Sequence, residues 1–105
     1  MTALEIQDYI HVYSVFSFRD GRKEPGICFN KYNISEARID YYFIPQINMH
    51  AYKNAYDRFE KETCKSLCNC INPDELISIR PVSLSDYKII MELLEEKKQH
   101  INSLR

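Results

Sequence analysis

The sequence predicts a single α+β domain over residues 1–105. Its antiparallel sheet has three to four strands, in the order β-β-β-α-β-α, with two helices packed on one face. Three observations carry this prediction. Apolar residues alternate at period two in three stretches before Pro45, the period lengthens to three and four after it, and short polar breaks separate the stretches. A small half-open β-barrel with helical additions satisfies the same faces, and periodicity does not choose between the two.

Residues 1–8 read as a polar lead-in. Residues 10–18 alternate, with Ile10, Val12, Phe16 and Phe18 on one side and His11, Tyr13, Val15 and Ser17 on the other, which predicts a strand. "RDGRKEPG" follows as a turn-rich loop containing Arg19, Arg22 and Lys23. "GICFNKY" predicts a second strand, placing Ile27 and Phe29 inward and Cys28, Asn30 and Tyr32 outward. "NISEA" is a break. "RIDYYFI" is a third strand with Ile39, Tyr41 and Phe43 inward, stopped by Pro45.

Asn48 then reads as the cap of a helix running through "MHAYKNAYDRFEKETCKSLCNC", with a break near Lys61. Ala51, Ala55, Phe59, Thr63 and Leu67 recur at i, i+4 after Ile47, and Tyr52 and Tyr56 widen the stripe. Asn72 and Pro73 stop it. "DELISIRPV" predicts a fourth strand burying Leu76, Ile77 and Ile79. Ser83 caps a last helix with Asp86 three residues on, and acidic residues precede basic ones along it, as the macrodipole favours.

Composition narrows the function classes. With 14 Lys and Arg against 15 Asp and Glu, the net charge of −1 lacks the basic surplus of most nucleic-acid binders. No basic leader or unbroken apolar run opens the chain, so the expected location is cytoplasmic and the 4 cysteines are expected as reduced thiols.

Three of those thiols fall within "CKSLCNC". On a helix Cys64 and Cys68 share a face, and Cys70 is rotated away by roughly 200°. Tetrahedral zinc needs a fourth ligand and commonly paired cysteines, so the trio reads first as packing, with zinc at Cys64, Cys68 and Cys70 as an alternative. Neither a nucleophile elbow nor a paired-carboxylate constellation is present, and no cofactor and no enzyme activity are expected.

The 8 tyrosines and 5 phenylalanines need a core or a binding face. The proposed outer face shows His11, Tyr13, Asn30, Tyr32, Arg38 and Tyr42, with Arg19, Arg22 and Lys23 in the adjacent loop. Tyrosine and arginine suit a protein interface; rings on strands beside cations also suit single-stranded RNA or DNA. In the last helix Tyr87, Met91, Leu94 and Ile101 continue an apolar stripe wider than one small sheet needs, which predicts a homodimer. The expectation is a non-enzymatic protein-interaction or regulatory module, not associated with a membrane, with nucleic-acid binding second and structural zinc third.

Overall fold

The computed structural model describes residues 2–83, together with Ser85, Asp86, Lys88 and Glu92. Helix α1 (Ala3–Gln7) leads into strands β1 (Ser14–Phe18), β2 (Lys23–Asn33) and β3 (Arg38–Pro45). Helices α2 (Gln46–Asp57) and α3 (Lys61–Leu67) follow, then β4 (Asn69–Ile71), a 3₁₀ turn (Pro73–Glu75) and β5 (Leu76–Pro81). The five strands form one antiparallel sheet in the order β4-β3-β2-β1-β5. The α+β class stands, and the strand count and element order are corrected.

Register forces this sheet to coil. Leu76 of β5 pairs with Phe18, which bonds to Arg22; Ile71 of β4 pairs with Tyr41, which faces Asn30. In a flat sheet the two ends would be about 19 Å apart across the strands and about 27 Å apart along them. Ile71 and Leu76 are joined by a link whose full reach is about 18 Å, and a 3₁₀ turn shortens it. The edge strands are therefore drawn toward each other, and the concave side becomes the core.

β2 makes the coil possible by changing partners. Its first part pairs with β1 up to Gly26, and its remainder pairs with β3 from Gly26 onward. A Cβ at Gly26 would lie 2.2 Å from the Ile44 carbonyl oxygen and 2.7 Å from the Phe43 ring, so only glycine allows this approach. Pro25 is tolerated next to it. Phe18 N donates to Arg22 O, which puts the Val15–Pro25 pair between ladder bonds and turns the missing N–H away from β1. Lys23, Glu24 and Pro25 are thus strand residues, not part of the loop expected of them, and Gly26 continues the strand; the turn is at Gly21, with φ 93°.

Small residues on β1 and β2 leave room for large ones. Ser14, Gly26 and Cys28 line the concave side, where Phe43 packs against Phe16 at 4.8 Å and Phe18 at 5.7 Å between ring centroids. Tyr41, Ile71, Leu76 and Ile79 complete the cluster. Helix α1 covers this side, burying Ile6 fully with Tyr9 and Ile10 beside it. It starts at a capping box in which Thr2 Oγ1 accepts from Glu5 N and Glu5 accepts from Thr2 N. Gln7 then donates to the Tyr41 hydroxyl at 2.8 Å.

Several local expectations are corrected by this packing. Cys28, not Ile27 or Phe29, faces the core, because a second row of rings does not fit opposite Phe16 and Phe43. Ile10 and Val12 lie before β1, where His11 takes φ 65° and donates its N–H to Cys28 O. Helix α2 starts at Gln46 after Pro45, and Asn48 instead donates to Leu67 O, tying α2 to the end of α3. The middle helix breaks at residues 58–60 and ends at Leu67, because Cys68 is extended and residues 69–71 join the sheet. Ile77 is exposed, beside a register shift between β1 and β5.

The middle helix is split in two, residues 3–7 form a helix in place of a polar lead-in, and the helix expected from Ser83 onward lies largely outside the described residues. α2 and α3 lie on the convex side and α1 on the concave one. Ser83 Oγ accepts from Asp86 N at 3.2 Å, as the capping pattern predicts. Tyr87, Met91, Leu94 and Ile101 lie outside the described residues. Among the described residues, no helix is long and apolar enough to cross a membrane.

Candidate functional site

Alternation puts Phe29 and Lys31 of β2, and Asp40, Tyr42 and Ile44 of β3, on the convex side. Phe29 and Tyr42 are direct cross-strand partners, and their rings stack at 5.3 Å and 18°. Helix α2 extends this row. Tyr52 lies 5.9 Å from Phe29, and Tyr56, one turn later, stacks on Tyr52 at 6.5 Å and 20°. The result is a continuous ladder of four rings, two from the sheet and two from the helix.

Where α2 ends, the chain turns through Phe59 at φ 58°, a left-handed conformation costly for a large side chain. Glu60 N donates to Ala55 O and Cys64 N to Glu60 O, starting α3 at an angle to α2. The turn leaves Phe59 89% exposed and Tyr56 67% exposed. Between the ladder and α3 runs an open groove of about 520 Å³. Its far wall is Lys61, Cys64, Lys65 and Cys68, and Lys31 and Glu60 also border it.

Three groups of this groove, Tyr42, Tyr52 and Cys68, hold their protons more tightly than usual. Burial raises the phenol pKa of Tyr42 and of Tyr52, and the neighbouring Asp40 and Cys70 act on Tyr42, and Cys64 and Cys68 on Tyr52, in the same sense. Burial also raises the Cys68 thiol, reinforced by Cys64 and Cys70. A thiol held protonated is a poor nucleophile and metal ligand. Charge in the groove therefore comes from three lysines and one glutamate.

The cysteines divide by position. Cys28 is buried, which pushes its thiol up to about 12. Cys64 and Cys68 are half-buried in the groove wall, and Cys70 is exposed on β4 opposite Tyr42. All four are free, and among the described residues no three His, Cys, Asp or Glu side chains are arranged to hold a metal ion.

The residues expected to form one binding face are distributed over several. Tyr42 belongs to the groove. Asn30 lies on the concave side, where its amide reaches Gln7 Oε1 at 3.4 Å, and Tyr32 is exposed near the end of β2. Arg38 pairs with Asp40 at 2.9 Å, and Asn33 and Arg38 together hold the Asp40 carboxyl below its usual range. Arg22 pairs with Asp20 at 2.7 Å and covers the Phe18 ring. Arg19 Nε donates to Asp74 O, fastening the hairpin to the 3₁₀ turn. Lys23 is exposed at the start of β2, His11 is exposed in its turn, and Tyr13 precedes β1, its carbonyl accepting from Val82 N.

Sequence periodicity missed Phe29, Lys31, Tyr52, Tyr56 and Phe59 as site residues by assigning the rings to the core stripe. The available signal was the surplus of rings on α2 over what one side of the sheet can bury. Comparison with protein-family models, with curated proteins and with solved structures finds no match to this chain.

Proposed function

We propose that this protein is a non-enzymatic interaction module whose aromatic groove binds a protein partner. The observation that carries the reading is the exposure of Tyr56 and Phe59 at the mouth of a groove floored by stacked rings. Exposed rings beside a concave, apolar floor are the raw material of an interface hot spot, where one inserted side chain excludes water from several partners. Phe59 strengthens the point, because its positive φ is kept although it buries almost nothing within this chain.

The proposed setting is the cytoplasm, in keeping with four free thiols, three of them within seven residues. A homodimer through Tyr87, Met91, Leu94 and Ile101 is part of the proposal and rests on the apolar sequence pattern after Ser83. Light scattering that gives a monomer at high micromolar concentration rejects it.

A photo-activatable side chain placed at Tyr56 tests the groove. Irradiation in the native cell should give a discrete protein adduct from position 56 and none from Ile77, which is exposed on edge strand β5 and does not border the groove. The second reading, single-stranded RNA or DNA, has the ring ladder and its lysines in its favour. A nuclease-sensitive adduct from position 56 selects it.

A further inference from the structure

We infer that the groove's occupant is an acidic peptide segment presenting one apolar anchor side chain, an inference that rests on the groove being a protein-binding site. Charge complementarity is the first argument. The chain as a whole carries −1, yet Lys31, Lys61 and Lys65 border the groove against Glu60 alone. Among the described residues Lys65 is engaged only by Glu62 at 3.5 Å, with both side chains exposed. Among the described residues no carboxylate comes within ion-pair distance of Lys31 or Lys61. Burial raises the Tyr42, Tyr52 and Cys68 pKa values, so these groups add no negative charge to the floor.

The anchor follows from the rings. Tyr56 and Phe59 stand at the mouth with most of their surface uncovered, and the floor behind them is Phe29 and Tyr42. A leucine, phenylalanine or proline side chain entering here removes apolar surface on both sides from water. A cavity of about 520 Å³ accommodates a few side chains of an extended segment, not a folded element.

A nucleic-acid strand fits less well. Stacking of successive bases needs a run of free ring faces, and the Phe29–Tyr42 and Tyr52–Tyr56 pairs face each other at 18° and 20°, leaving Tyr56 and Phe59 as the open rings. A phosphate chain also needs cations along its track, and the groove offers three lysines diluted by a glutamate.

The test is a display library of short peptides with a central Phe, Leu or Pro and acidic, neutral or basic flanks, panned against the full chain. Acidic flanks should dominate the selected pool. The selected peptides should weaken about tenfold with Lys61→Glu and Lys65→Glu combined, and that variant should select basic flanks instead. Both lysines are exposed, and an unchanged thermal transition shows that the variant is folded. Neutral or basic flanks in peptides that still depend on Tyr56 and Phe59 overturn the acidic-segment inference and leave the groove as a protein site. Peptides insensitive to Tyr56→Ala and Phe59→Ala, or groove-dependent binding of single-stranded oligonucleotides alone, overturn both.

Discussion

The two sides of the β2–β3 hairpin are built from the same alternating sequence and reach opposite ends. On the concave side the small residues Ser14, Gly26 and Cys28 make space that Phe16, Phe18, Phe43 and Ile6 fill, and the exit is closed by α1. On the convex side Phe29 and Tyr42 start a row of rings that α2 continues and that ends in water at Phe59. Aromatic residues alone do not mark a binding face. What separates the sides is whether an element lies over the last ring of the row.

The largest effects should come from the closed side. Phe43→Ala removes the ring shared by Phe16 and Phe18 and should lower stability by about 3–5 kcal/mol in urea unfolding. Tyr42→Ala, the corresponding change on the open side, should cost about a third of that and spare the cooperative transition. Equal losses would show that the convex row is core as well.

Gly26→Ala is next. Its new Cβ would meet backbone oxygen, which cannot swing aside as a side chain can, so β2 must shift or lose pairing with β3, at a cost of about 2–3 kcal/mol. A smaller loss, with unchanged amide exchange along β3, would argue against β2 changing partners at this residue.

Alkaline pH separates the sides by the size of the effect. The folded Cys28 thiol is held at about 12 against 9.0 for the free thiol, so the folded chain binds the proton more tightly than the unfolded one. The resulting stability is present below pH 9 and is lost as pH rises toward about 12. Cys28→Ala should flatten this limb of the stability–pH curve, and Cys68→Ala should alter it far less, since Cys68 is only half-buried.

The smallest effect should be on the open side and of the opposite sign. Phe59→Gly relieves the left-handed φ, so stability should stay level or rise by up to about 1 kcal/mol while partner binding falls. A clear loss of stability would mean that the Phe59 ring packs within the chain.

Much of the scaffold was legible from periodicity, and its failures share a cause. β3 was readable because a run of aromatic and β-branched residues from Ile39 to Ile44 ends at Pro45, although Ile39, expected inward, is exposed near the strand's start. β2 was not, because Ile27 and Phe29 outrank Cys28 in hydrophobicity although the coil has room for cysteine only. Hydrophobic rank predicts burial on a flat face; inside a coiled sheet, volume decides. The site was hidden for a related reason. Tyr52, Tyr56 and Phe59 keep helical spacing, and the positive φ that lifts Phe59 out of the stripe leaves no mark in composition.

The most direct test of the central claim is nuclear magnetic resonance of the isotope-labelled chain titrated with a peptide selected from the display library. The account predicts amide and side-chain shifts concentrated at Lys31, Tyr42, Tyr56, Phe59 and Cys64, with α1 and the concave side undisturbed. Shifts centred instead on Tyr32, Asn30 and Gln7, or spread evenly over both sides of the sheet, would contradict it.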